Sequence, residues 1–258
     1  MIISHKYKFV FIGLPFSASS AITKELCKKY HGKPLLRKHS LYHEFENIAT
    51  EDEKKYFVFA VLRNPMEIAI TTYEKMKANE KGNFTNPKLF TENGGHINKK
   101  QRNKYKFIVE KNATFQEFFL KFYKLPYDNF ASLTFQNCNY IIRYENIEKE
   151  YKKALEMAGI KNPRSLPVEN KTSNKKSNTN LYYKKEIHKR AIFVFGPFFK
   201  EYGFQFPSKW SNNTYIFSYF IYMILKIFRK WRWRYKKYST RKSIKGSIYG
   251  DIQRKFEN

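Results

Sequence analysis

Acidic residues are scarce in this chain, and their scarcity limits the partners it can have. Its 258 residues include 50 Lys and Arg but only 22 Asp and Glu, which gives a formal net charge of +28. This charge favours polyanionic partners such as nucleic acid, acidic glycans or anionic lipid, or a nucleotide-bearing substrate drawn into a basic cleft. Part of the lysine excess has a simpler explanation, because Lys, Asn, Ile, Phe and Tyr are all abundant, as A/T-rich coding sequences make them.

Cysteine is also scarce, since Cys27 and Cys138 are the only two. Two cysteines are too few for a disulfide framework or a zinc site, so we expect reduced core residues and no bound metal. The chain enters an apolar run within its first 13 residues, MIISHKYKFVFIG, so we expect no signal peptide and no amino-terminal membrane anchor. Both points favour a cytoplasmic protein.

Two common nucleotide-binding signatures are missing from Tyr7 to Tyr30, the predicted strand, loop and helix around which the rest of the chain is interpreted. Its loop has neither the Gly-Lys-Ser/Thr ending of a Walker P-loop nor a GxGxxG fingerprint, which disfavours a nucleotide kinase and a dinucleotide fold. A buried strand nevertheless runs to Ile12, and a Gly-Leu-Pro turn and a serine-rich stretch lead into an amphipathic helix. Ordinary helix capping explains such a stretch, and so does phosphate binding by backbone amides and hydroxyls at a helix N-terminus.

Two further apolar runs, residues 56–62 and 137–144, alternate with helical patterns and predict an α/β fold with a central parallel sheet. Asn64 and Pro65 form a helix start, so Arg63 is predicted at the carboxyl end of a strand, where open α/β sheets bind ligands. Thr71 lies two turns into that helix and could present its hydroxyl nearby.

In the remaining segments, secondary structure is predicted from helix-capping residues and from the Gly and Pro residues that end helices. The polar stretch 79–112 is either a loop or lid that orders on binding or a solvated insertion. A capping box opens a helix at Thr114, and a second helix covers 145–158 and stops at Gly159. The segment from Leu181 is predicted to be helical until Gly196-Pro197.

Taken together, five motifs resemble those of the sulfotransferases that use 3′-phosphoadenosine 5′-phosphosulfate (PAPS), particularly the carbohydrate 2-O-sulfotransferase-like branch. The resemblance covers residues 7 to 207 and implies a P-loop-like three-layer fold with helices on both sides of the sheet. The motifs are a Pro-Lys-x-Gly-x-Thr-like loop, an Arg-Asn-Pro run with Thr eight residues after its Arg, an Arg-Tyr-Glu run, a basic loop and an aromatic helix end. In this chain they are LPFSASSAI, Arg63 to Pro65 with Thr71, Arg143 to Glu145, Asn170 to Ser173, and Glu201 to Phe206.

The resemblance implies PAPS as co-substrate, a carbohydrate or glycolipid hydroxyl as acceptor, and a set of site residues. Arg63 and Thr71 would bind the 3′-phosphate, Lys171 and Thr172 would close over the nucleotide, and His39 would be the catalytic base. The loop for the 5′-phosphosulfate would consist of Phe16, Ser17, Ala18, Ser19 and Ser20. Phe16 and Ala18 depart from the pattern, which has Lys and Gly there. The cation that faces the leaving phosphate must therefore come from elsewhere, and the candidates are Lys38, Arg37 and Lys171.

Two domains are predicted: a sulfotransferase-like domain, 1–207, and a basic aromatic helical tail, 208–258. The tail contains only 11 apolar or small residues in YIFSYFIYMIL, short of the roughly 20 that span a bilayer. We therefore expect it to lie on an anionic membrane surface, with packing on the domain as the alternative. The alternative function is a catalytically lapsed scaffold that binds membrane surfaces or nucleic acid, although nucleic acid is the less favoured partner.

Overall fold

The structure is a computed structural model that describes residues 1–167, 179–210 and 216–235. Its strands are β1 (Ile2–Ser4), β2 (Phe9–Ile12), β3 (Lys33–Pro34), β4 (Phe57–Leu62) and β5 (Tyr140–Arg143). Its helices are α1 (Ser19–Lys29), α2 (Tyr42–Glu46), α3 (Pro65–Ala78), α4 (Lys99–Glu110), α5 (Phe115–Phe122), α6 (Ile147–Met157), α7 (His188–Tyr202) and α8 (Ile216–Tyr235). Short 3-10 turns cover Glu53–Lys55, Pro87–Leu89, Thr91–Asn93, Ala131–Leu133, Phe135–Asn137, Tyr144–Asn146, Thr179–Leu181 and Lys185–Ile187. The α/β class is confirmed.

The chain forms two compact units, each assembled from separate stretches. The first comprises Met1–Arg63, Asn129–Lys171 and Arg229–Asn258, and the second comprises Asn64–Asp128 and Thr172–Phe228. The sequence-based division into residues 1–207 and 208–258 stays a prediction.

The first unit contains a five-stranded mixed sheet with the order β3-β1-β2-β4-β5. The predicted parallel arrangement holds for β2, β4 and β5, with Phe11 opposite Phe59 and Val61 opposite Ile142. It is wrong at the other edge, where β1 runs antiparallel to both β2 and β3. The three residues of β1 are too few to show a strand period in the sequence, and pairing with β2 through a tight turn decides their direction.

The core of the first unit lies against β2 and β4. Phe9, Phe11 and Phe59 are fully buried, as expected of strands covered on both faces. Ile22 and Leu26 of α1 and Tyr151 and Leu155 of α6 pack into the same cluster, together with Tyr30, which follows α1. Ile22, Leu26 and Tyr30 recur every four residues, and their burial confirms that the first helix is amphipathic, as predicted.

The second unit is a helical assembly around an aromatic cluster. The rings of Phe119 and Tyr183 are 5.5 Å apart between centroids, and those of Phe119 and Phe195 are 5.6 Å apart. Its helix starts follow the sequence closely. Asn64 caps α3 by accepting a hydrogen bond from the Met66 amide at 2.9 Å, and Thr114 forms a capping box with Glu117.

Two predictions for the second unit need correction. Helix α7 does not end at Gly196-Pro197 but continues to Tyr202, with Pro197 inside it. A proline within a helix costs about 3 kcal/mol or more, and the burial of Phe195, Phe198 and Phe199 on the same helix offsets it. The 79–112 stretch is not a plain loop, because its second half forms α4, which opens with a capping box between Asn98 and Gln101.

The third predicted strand is shorter than expected and covers Tyr140–Arg143 rather than 137–144. The predicted helix that follows is confirmed as α6, and Gly159 after it adopts a φ of 81°. Cys27 and Cys138 are unpaired and half-buried, and burial raises the pKa of their thiols to about 11 and about 12. Within the described ranges, no helix combines the length and apolarity needed to cross a membrane.

Candidate functional site

The three parallel strands of the first unit end at one edge of the sheet, and the residues after them meet there. Gly13 follows β2, Arg63 follows β4 and Tyr144 follows β5. Arg63 Nη1 donates a hydrogen bond to the carbonyl of Phe16 at 2.9 Å, and the guanidinium carbon lies 4.2 Å from the centroid of the Tyr144 ring. Arg63 thus connects the loop after β2 to the end of β5.

The loop between β2 and α1 contains two residues in the left-handed region of backbone conformation. Phe16 and Ala18 have φ angles of 62° and 53°, so two left-handed residues lie within three positions. Residues in this region can turn successive backbone amides toward one side, which is how anion-binding turns in proteins are built. Ala18 is the N-cap of α1 and makes no side-chain cap, so the positive end of the helix dipole carries no capping oxygen from that residue.

The loop is held in place by hydrogen bonds to its carbonyls. Ser17 Oγ donates to Leu14 O at 2.6 Å, and Asn129 Nδ2 donates to Pro15 O at 3.1 Å. Ser17 and Ser19 are buried, with 2% and 6% of their surface exposed. The hydroxyl of Ser17 therefore supports the loop, and Ser20, which is half-buried, is the most accessible of the three serines.

Phe16 stands where the loop motif has lysine. Its side chain is 36% exposed, so the phenyl ring reaches solvent. A phenyl ring carries no charge, so Phe16 does not replace the lysine cation.

Lys38 supplies a cation at this loop from another segment. Its Nζ donates to Ser20 Oγ at 2.5 Å, at the second residue of α1. The ammonium group therefore lies at the same helix end as the left-handed loop. Of the replacement cations considered from the sequence, Lys38 is brought to the loop by its hydrogen bond to Ser20, whereas Lys171 lies outside the described residues.

His39 lies beside the same loop, and its hydrogen bond assigns its tautomer. Nδ1 is 2.6 Å from the carbonyl oxygen of Gly13. A carbonyl can only accept, so Nδ1 carries the proton and Nε2 of the neutral ring carries the lone pair. The residue reaches solvent, but its pKa is lowered to about 4, mainly by protein packed around the ring and in smaller part by the nearby Lys38 charge. His39 is thus neutral at pH 7 and suited to accept a proton.

The close approach of these groups requires Gly13 to lack a side chain. A Cβ on Gly13 would lie 2.9 Å from Ser19 Cβ and 3.3 Å from Lys38 O. Bonds within residues 37–44 fix the segment on the other side: Ser40 Oγ accepts from Arg37 N at 3.1 Å, and Glu44 accepts from Leu41 N at 2.8 Å. The α-amino group of Met1 donates to Arg37 O at 2.9 Å.

The remaining predicted site residues are Thr71, Lys171 and Thr172. Thr71 belongs to the second unit, in α3, and is 2% exposed, so its predicted contact with a 3′-phosphate stays a prediction. Lys171 and Thr172 lie outside the described residues, as does the Asn170 to Ser173 loop. The part of the chain that the structure describes contains no group of three or more His, Cys, Asp or Glu side chains arranged to hold a metal ion.

Some residues of this site carried no signal in the sequence. Asn129 contacts Pro15 across 114 positions of the chain, and no local pattern marks it. Tyr144 belongs to the Arg-Tyr-Glu run, but its stacking with Arg63 depends on two strand ends meeting.

No protein-family model, curated protein or solved structure matches this chain.

Proposed function

We propose that this chain is a PAPS-dependent sulfotransferase that acts on a hydroxyl of a carbohydrate or glycolipid. The observation that carries the proposal is that Lys38 and His39, adjacent in sequence, reach the loop after β2 at its two ends. Lys38 Nζ is 2.5 Å from Ser20 Oγ, and His39 Nδ1 is 2.6 Å from Gly13 O. A cation and a neutral base thus flank one loop, and sulfuryl transfer requires such a pair.

The P-loop-like character of the fold is part of this proposal. It is supported by the order of elements: the buried strand β2 is followed by a loop with two residues of left-handed conformation and then by α1, whose N-terminus attracts negative charge. The loop amides, Ser20 and Lys38 would hold the 5′-phosphosulfate of PAPS. Arg63, which follows β4, would bind the 3′-phosphate while it supports Phe16, with Thr71, Lys171 and Thr172 as the further predicted contacts.

The proposed reaction uses each group at a named atom. His39 Nε2 takes the proton of the acceptor hydroxyl as its oxygen attacks sulfur. The bond between sulfur and the bridging oxygen of the 5′-phosphate breaks, and the sulfuryl group moves to the acceptor. The leaving 3′,5′-bisphosphate gains negative charge, and Lys38 Nζ and the positive end of α1 stabilise it. Protons and charge balance without a metal ion or a redox partner.

The experiment compares His39→Asn with His43→Asn in a transfer assay with radiolabelled donor and mixed polysaccharides and glycolipids. Asparagine keeps an N–H for Gly13 O but offers no basic nitrogen, so His39→Asn should bind 3′-phosphoadenosine 5′-phosphate normally and transfer no sulfate. His43, in α2, pairs with Glu46 at 3.5 Å and serves as the matched control. Transfer at the parental rate by His39→Asn would contradict the assignment of the base.

The second candidate function is a catalytically lapsed scaffold with the same loop. The exposed phenyl ring of Phe16 in the lysine position is the observation that favours it. A parent protein that binds the bisphosphate but transfers no sulfate, together with a Phe16→Lys variant that does transfer, would support this alternative against the active enzyme.

A further inference from the structure

The exposed side of helix α8 carries a continuous apolar stripe. At 100° per residue, its members fall within an arc of about 140° on the helix surface. Each has between 38% and 88% of its side chain exposed, and the members are Ile216, Phe217, Phe220, Met223, Ile224, Ile227, Phe228 and Trp231. Scattered exposed apolar residues are common on protein surfaces, whereas a contiguous stripe of this size marks an interaction surface.

The opposite side of the same helix is packed on protein, so the direction of the stripe is fixed. Ser218 and Tyr222 are 2% and 0% exposed. Lys226 Nζ donates to Glu201 Oε1 at 2.6 Å, and Lys200 Nζ lies 4.9 Å from the centroid of the Tyr219 ring. The helix is therefore anchored through one face and presents the other, as a docked amphipathic helix does.

The charges around the stripe identify its partner. Helix α8 contains no acidic residue, and at 100° per residue the exposed Lys230 and Arg232 lie at the two edges of the stripe. The partner must therefore be apolar at its centre and anionic at its edge. A second copy of this chain fits poorly, since it would bring the same cations and another net charge of +28 against them.

We propose that α8 lies flat in the interfacial layer of a membrane that contains anionic lipids. The stripe enters the boundary between headgroups and acyl chains, and the flanking cations contact lipid phosphates. Trp231 suits this depth, because indole rings favour the membrane–water interface. The proposal uses none of the residues assigned to the proposed sulfotransferase site and does not depend on that activity.

The test is sedimentation of the full chain with vesicles. The parent should bind vesicles of phosphatidylcholine with phosphatidylglycerol, and bind phosphatidylcholine alone at least about tenfold more weakly. Phe220→Asp with Ile227→Asp should lower binding to the anionic vesicles by about tenfold or more. These side chains are 61% and 66% exposed, so the variant should fold, which circular dichroism checks.

The matched control places two aspartates at exposed apolar residues outside α8. Val109 and Leu125 are 51% and 59% exposed, so Val109→Asp with Leu125→Asp changes the net charge equally and should bind as the parent does. Equal loss in both variants, equal binding to neutral vesicles, or no vesicle binding by the parent would overturn the proposal. A dimer in sedimentation equilibrium that Phe220→Asp with Ile227→Asp dissolves would also overturn it, because a second copy would then cover the stripe.

Discussion

Replacement of Lys38 by methionine tests the central claim about the site, because it removes the ammonium group and keeps most of the apolar stem. The ammonium is the cation that the structure brings to the N-terminus of α1, 2.5 Å from Ser20 Oγ. If it stabilises the leaving bisphosphate, its loss should affect the transition state more than the bound ground state, since negative charge on the leaving group develops during the reaction.

The expected magnitude follows from the loss of one charged donor. Removing a single such donor costs about 3 kcal/mol in the transition state, or on the order of 100- to 1,000-fold in turnover. A Coulomb interaction of about 4 kcal/mol, for unit charges 4 Å apart at an effective dielectric constant near 20, is of the same size. Affinity for 3′-phosphoadenosine 5′-phosphate should fall less, by about tenfold, because loop amides and Arg63 remain.

Turnover is measured by transfer of radiolabelled sulfate, and affinity by calorimetry with the bisphosphate. Lys28→Met is the matched control, because Lys28 lies in the last turn of the same helix and is exposed. It removes one charge at the opposite end of α1 and should leave both values near those of the parent. Equal effects of Lys38→Met and Lys28→Met would refute the reasoning, since only general electrostatics would then be involved.

Three further predictions concern neighbouring groups. Arg63→Ala should weaken binding of 3′-phosphoadenosine 5′-phosphate by about 2 kcal/mol or more through loss of a charge-assisted bond. Calorimetry should also find that the parent binds adenosine 5′-phosphate less tightly than the bisphosphate, and equal affinities would contradict the role of Arg63. Because protein packed around the ring lowers the pKa of His39 to about 4, transfer should persist as pH falls below 6.5 and decline only near the lowered value; half-maximal activity near pH 6.5 would contradict the lowered pKa. Gly13→Ala should lower the free energy of unfolding by about 1–3 kcal/mol in urea titrations, because its Cβ would lie 2.9 Å from Ser19 Cβ. Gly94→Ala is the control: its Cβ would meet open space, so its free energy of unfolding should fall only by the backbone strain of an alanine at a φ of 80°.

Local patterns in the sequence predicted much of the fold because the interactions behind them are local. The burial of Ile22 and Leu26 follows from their four-residue spacing, and the start of α3 follows from Asn64 and Pro65. The end of α7 was wrongly predicted at Pro197, because the aromatic packing around it outweighs the local cost of proline. Strand β1 was missed because its three residues are specified by pairing with β2 and β3.

The sequence by itself determined that a buried strand leads through a serine-rich loop into a helix, and that Arg63 follows a second strand. Only the tertiary structure decided which groups serve that loop. Lys38 reaches Ser20 across 18 positions and His39 reaches Gly13 across 26, and Arg63 stacks on Tyr144 from the next strand. The direction of the α8 stripe was settled in the same way, by the packing of Tyr222 on the opposite face. Hydrogen bonds within a turn or helix depend on neighbours in sequence, whereas these contacts depend on how the strands and helices pack in space.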